Sequence, residues 1–109
     1  MKIFIVEDDL VIAESLANEL SKWNYEVHVV DNFEKIMEDF RRVEPQLVLL
    51  DINLPTLNGF HWCQEIRKVS HVPIMFISSR TDNMDQILAI QMGGDDFIEK
   101  PFNLSLTVA

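Results

Sequence analysis

Short apolar runs recur along this chain between segments of helical periodicity, and two of them are continuous rather than alternating. Lys2 to Val6 (KIFIV) and Leu47 to Leu50 (LVLL) carry almost no polar residue on either side of the strand period. That pattern suits parallel strands covered on both faces, whereas a half-solvated antiparallel strand would alternate. Tyr25 to Val30 reads as a second strand, Ile74 to Ser78 (IMFIS) as a fourth, and Phe97 to Glu99 as a short fifth. Between them run helical stripes. Ile12, Leu16, Leu20 and Trp23 recur at spacings of three and four, which predicts one buried face over Leu10 to Trp23. Asp31 with Glu34 resembles a capping box opening a second helix, with Phe33, Ile36, Met37 and Phe40 inward. Pro45 breaks the chain before strand 3. Gly59 to Val69 predicts a third helix, and Met84 to Met92 a fourth, ended by Gly93 and Gly94. Asn103 can cap a fifth, but the chain stops at Ala109, so that this last helix reads as truncated.

Strands alternating with helices predict an α/β fold, a doubly wound and mainly parallel five-stranded sheet covered by helices on both sides. With 109 residues and no repeat or linker-like stretch, one domain spanning 1–109 is expected. Nine basic against 18 acidic residues give a formal charge of −9, which opposes binding to nucleic acid or to an anionic membrane surface. A single cysteine, Cys63, rules out an intrachain disulfide framework. No apolar run approaches the ~20 residues of a membrane span, and the N-terminus lacks a secretory pattern, so a cytoplasmic location is expected.

In doubly wound sheets ligands bind beyond the carboxyl ends of the strands. The residues there are Glu7, Asp8 and Asp9 after strand 1, Asp51 after strand 3, Ser78 and Ser79 at the end of strand 4, and Lys100 after strand 5. Each alone has an ordinary explanation as a helix cap, a turn residue or a solvated charge. Together they place four carboxylates on one rim, where a like-charged pair ~4 Å apart at an effective dielectric of ~20 costs about 4 kcal/mol. Lys100 offsets one charge, and a divalent cation bound through oxygen would remove two more. An acidic set with few ligands and access to water suits Mg²⁺, which retains waters and accepts phosphate oxygens. Such a site anticipates a phosphoryl group, with Asp51 as a possible nucleophile.

These residues resemble the receiver domain of a bacterial two-component response regulator, similar to the OmpR/PhoB type. The resemblance spans essentially the whole chain. It rests on Glu7-Asp8-Asp9, on Asp51-Ile52-Asn53-Leu54-Pro55 with Asn58-Gly59, on Ser78, on Gly93-Gly94-Asp95-Asp96-Phe97, and on Lys100-Pro101-Phe102. It implies a flavodoxin-like sheet of strand order 2-1-3-4-5, and a signalling phosphoacceptor rather than an enzyme. Asp51 would accept a phosphoryl group from a sensor histidine kinase or a small phosphodonor. Glu7, Asp8, Asp51 and the backbone carbonyl of Asn53 would hold Mg²⁺, Glu7 through water. Lys100 would contact the phosphoryl oxygen, and the Lys100-Pro101 bond would be cis. Asp9 would face the first turn of helix 1, where the helix dipole favours a carboxylate.

The resemblance further implies that Ser78 and Phe97 form a switch pair, with the hydroxyl moving to the phosphoryl group and the ring turning inward. The responding surface would be helix 4, strand 5 and helix 5, through which the phosphorylated protein forms a homodimer. DNA would be bound only by a winged-helix domain beyond this chain, so the chain is expected to be part of a longer transcription regulator. Ser78 stands where threonine is commoner and Ser79 where alanine is usual; both are small and leave access open. A narrower likeness, through Gly59 to Cys63, Ser78-Ser79-Arg80 and Met84-Asp85-Gln86, is to regulators of the bacitracin and cell-envelope-stress type.

Two other functions share parts of the pattern. A haloacid-dehalogenase-like phosphatase also uses an aspartate, Mg²⁺ and a lysine, but needs Asp-x-Asp on its first strand, which Asp51-Ile52-Asn53 on strand 3 does not supply. A flavodoxin-like cofactor binder needs a phosphate-cradling loop after strand 1, where Glu7-Asp8-Asp9 would repel phosphate. Cys63 beside Trp62 predicts a buried structural thiol. His28, His61 and His71 show no metal-ligand spacing. Arg41-Arg42 and Arg67-Lys68 read as cations at helix ends.

Overall fold

The computed structural model describes residues 1–52, 54, 57–78 and 96–99, with backbone only for Ser78 and for 96–99. The strands are β1 (Lys2–Val6), β2 (Glu26–Val29), β3 (Leu47–Asp51), β4 (Ile74–Ser78) and β5 (Asp96–Glu99). The helices among the described residues are α1 (Leu10–Lys22), α2 (Ile36–Val43) and α3 (Gly59–Arg67). The strands form one parallel sheet in the order β2-β1-β3-β4-β5, the expected doubly wound arrangement. The expected fourth and fifth helices, at Met84–Met92 and after Asn103, lie outside the described residues.

The continuous apolar runs are explained by two cores, one on each face of the sheet. Along β1, Phe4 and Val6 join Val48, Leu50, Phe76 and the inner faces of α2 and α3. Ile3 and Ile5 point the other way, into a cluster with Leu49, Ile77 and the Leu16 and Leu20 stripe of α1. A strand buried on both faces has no position left for a polar residue, which is why β1 and β3 do not alternate. Cys63 is fully buried in the α3 side of the core, as expected of a structural thiol.

Two local expectations are corrected. Trp23 does not extend the buried stripe of α1; it is the C-cap residue and is 50% exposed. The helix ends one residue earlier because Asn24, at φ 66°, takes the left-handed conformation that turns the chain into β2. The second helix does not open at Asp31. Asn32 Oδ1 accepts from the Glu34 amide at 3.0 Å, and the Asn32 carbonyl accepts from the Lys35 amide at 3.1 Å. This local turn competes with helix formation, so α2 begins only at Ile36, after Lys35, with no side-chain cap. Arg41 and Arg42 occupy its last turn, as expected of cations at a helix C-terminus.

Candidate phosphoryl and metal site

Strand register brings the acids together. Ile5 pairs with Leu49 and Val6 with Leu50, so that one further step sets Glu7 beside Asp51. A carboxylate oxygen from each of Glu7, Asp8 and Asp51 lies within 4.8 Å of the others. Glu7 (1% exposed) and Asp51 (3%) are the buried charged residues among those described, while Asp8 is exposed. Two of the three carboxylates are thus buried and the third is open to water. The donor set is entirely carboxylate oxygen, which fits a hard divalent cation and not a thiolate- or imidazole-seeking metal.

Asp9, next in sequence, does separate work. It is the N-cap of α1, with Oδ1 accepting from the amides of Val11 at 3.0 Å and Ile12 at 3.4 Å. This is the expected place for it, and it removes Asp9 from the rim cluster. The four carboxylates expected on the rim therefore resolve into three that converge and one that caps.

Asp51 is held from its own side of the sheet and from α3. The Ile52 amide donates to the Ile77 carbonyl at 3.3 Å, tying the end of β3 to β4, where Asp51 and Ile77 are register partners. Ser78 is the next residue along β4 and the last of that strand, level with Glu99 of β5. Phe97 lies in β5 opposite Phe76. Their backbone positions put Ser78 at the same rim as Asp51 and Phe97 two register steps back. Asn53, Ser79, Lys100 and the Lys100-Pro101 bond lie outside the described residues.

Asn58 and Gly59, carried in the receiver-like motif without a task of their own, start α3 next to the end of β3. Asn58 Oδ1 accepts from the His61 amide at 3.0 Å and caps the helix. The Gly59 amide donates to the Ile52 carbonyl at 2.8 Å. An Asn-Gly pair just ahead of a helical stripe was the available signal. The histidines form no metal cluster among the described residues: His28 stacks on Phe4 with ring centroids 5.6 Å apart, and His61 meets Trp62 edge-on at 4.9 Å. No helix among the described residues is long and apolar enough to cross a membrane.

A five-stranded doubly wound sheet of this order, with a carboxylate triad at the ends of β1 and β3, defines a receiver-like α/β module. The sequence pattern of the response regulator receiver domain matches residues 3–109, and the chain belongs to that signalling family. This bears out the resemblance read from the acidic cluster and the Asp51 and Lys100 motifs.

Among its relatives, the sensory transduction protein BceR of Halalkalibacterium halodurans is 47% identical over 108 residues, which are 99% of this chain and 47% of that protein. The response regulator protein GraR of Staphylococcus saprophyticus is 41% identical over 109 residues, 100% of this chain and 49% of that protein. The chain thus spans about half the length of these curated relatives. The solved N-terminal domain of the nisin resistance regulator NsrR, a lantibiotic response regulator, is 48% identical with a TM-score of 0.90, over 98% of this chain and 91% of that one. The BeF3-activated receiver domain of Klebsiella pneumoniae RstA is 33% identical with a TM-score of 0.94, over 99% and 92% of the two chains.

Proposed function

We propose that this chain is the phosphoacceptor module of a two-component response regulator, with Asp51 as the residue that is phosphorylated. The observation that carries the reading is the convergence of Glu7, Asp8 and Asp51 at the ends of β1 and β3 in a chain of the receiver family. In the proposed step a carboxylate oxygen of Asp51 attacks the phosphorus of a phosphohistidine on a sensor histidine kinase. The P–N bond breaks, the imidazole leaves with its electron pair and takes a proton, and an acyl phosphate remains on Asp51. Glu7, Asp8 and Asp51, with the backbone carbonyl of Asn53, would hold Mg²⁺; when bound, the ion supplies positive charge to the phosphoryl oxygens. Lys100 offers a further point charge for the same oxygens.

Phosphorylation adds about −1.5 to −2 charge, and the new contacts bias a two-state element. We assign that element to Ser78 and Phe97, with output through the surface of helix 4, β5 and helix 5, and homodimerisation as the consequence. The DNA-binding function is assigned to a further domain of the longer protein, and the location to the cytoplasm. We assign the chain to an OmpR/PhoB-type regulator responding to peptide antibiotics and cell-envelope stress, a reading supported by its similarity to the lantibiotic response regulator NsrR.

The test is intact-mass measurement after incubation with acetyl phosphate and Mg²⁺. A gain of one phosphoryl group that requires Mg²⁺ and is absent from Asp51→Asn is expected. No adduct on the wild type, or an undiminished adduct on Asp51→Asn, contradicts the reading.

A further inference from the structure

Gly59 stands where the first turn of α3 meets the backbone of Asp51. A Cβ at this position would collide with the Asp51 carbonyl oxygen, and would lie 2.9 Å from the Asp51 carbonyl carbon and 3.0 Å from Ile52 Cα. All three atoms are backbone, so no side chain can rotate away to make room. The approach is also fastened: the Gly59 amide donates to the Ile52 carbonyl at 2.8 Å, and Asn58 caps the same turn through His61. Gly59, Asp51 and Ile52 are all buried.

We propose that Gly59 is a positioning residue for the acceptor aspartate: by lacking a side chain, it lets α3 butt against the Asp51 peptide and fix where the carboxylate points. This rests on the assignment of Asp51 as phosphoacceptor. The opposite side of the Asp51 segment is fixed by the Ile52 amide on the Ile77 carbonyl. The segment is therefore gripped between β4 and α3, and a group added on the α3 side can be accommodated only by shifting the helix or the aspartate. A misplacement of about 1 Å in a reacting group can cost ~10²-fold in rate.

The experiment compares Gly59→Ala with the wild type and with Phe40→Leu. The latter loses packing in the same core from α2, away from the site. Folded fraction is read by circular dichroism, Mg²⁺ affinity by calorimetry, and the rate of adduct formation with acetyl phosphate by intact mass, all per folded molecule. Gly59→Ala is expected to form the adduct at least tenfold more slowly and to bind Mg²⁺ more weakly, while Phe40→Leu keeps wild-type values for both despite its lower stability. If Gly59→Ala needs help to fold, the comparison is made for all three proteins in trimethylamine N-oxide, which favours the compact state. Wild-type rate and Mg²⁺ affinity in folded Gly59→Ala overturn the proposal, as does failure to fold even in the osmolyte, since the glycine would then serve the fold alone. A wild type that forms no adduct on Asp51 instead overturns the functional assignment on which the proposal rests.

Discussion

Asp8 and Asp9 are adjacent acids with separate tasks, and the difference comes from where the strand stops. Asp9 is spent on the amides of Val11 and Ile12, two of the donors that the first turn of a helix leaves without partners. Asp8 stays exposed and converges with the buried Glu7 and Asp51. Replacing Asp9 by alanine is expected to cost about 1 kcal/mol of stability through the lost cap, measured by urea unfolding. Mg²⁺ affinity should remain near wild type, and a loss matching that of Asp8→Ala would contradict this division. The acids themselves were legible because each follows an apolar run. Their unequal burial was not, since the sequence sets Asp9 at the first turn of helix 1 but does not say which of Glu7 and Asp8 is covered until β1 is packed against β3. Trp23 was misplaced for a related reason: helical spacing continues through a residue that the backbone has already turned away.

The third helix shows how one element is anchored at both ends. Asn58 caps its start, and at its end Arg67 donates to the Val72 carbonyl at 2.6 Å, bracing the turn into β4. On its outer surface Lys68 donates to Glu65 at 2.9 Å. This hydrogen bond, aided by the lysine's charge, holds the Glu65 carboxyl below its ordinary value of 4.5. A lowered carboxyl favours the folded state above the ordinary value, and the contribution fades as acid titrates the folded form below it. Lys68→Ala should return the Glu65 midpoint toward 4.5 in an NMR titration, with little change in stability at neutral pH because the pair is exposed. An unchanged midpoint would contradict the pairing.

On its inner surface Phe60 meets Phe76 of β4 with ring centroids 5.3 Å apart. Phe76→Ala should cost about 3–5 kcal/mol by denaturant unfolding, the usual range for a buried aromatic. A cost under 1 kcal/mol would mean that this core is not close-packed. Among the described residues, strand and helix identities were legible from period and run length. The start of α2 was not, because Asn32 satisfies the Glu34 amide locally and outcompetes the capping arrangement that Asp31 and Glu34 suggest.

The molecule as assembled places its acids where its strand ends converge, and its net charge of −9 makes that convergence costly. Mg²⁺ should therefore stabilise the fold by mass action, by about 2.7 kcal/mol at a hundredfold excess over its dissociation constant. The thermal midpoint should rise with Mg²⁺ and not with sodium chloride of equal ionic strength. Equal effects of the two salts would mean general screening and no bound ion. The two-sided core was legible once the runs at β1 and β3 were recognised as continuous, whereas the sheet order was legible only through the resemblance to the receiver family. The grip of α3 on the Asp51 peptide was not, since a glycine's neighbours become visible only when the elements are packed.

Phosphoryl transfer to Asp51 leaves an acyl phosphate whose position in the chain can be mapped. After reaction with acetyl phosphate and Mg²⁺, borohydride reduction converts a phosphorylated aspartate to homoserine, which peptide sequencing by mass spectrometry can place. The conversion is predicted at Asp51 alone, with Glu7, Asp8 and Asp9 unmodified. Homoserine at any other aspartate with Asp51 intact would mean that Asp51 is not the phosphoacceptor.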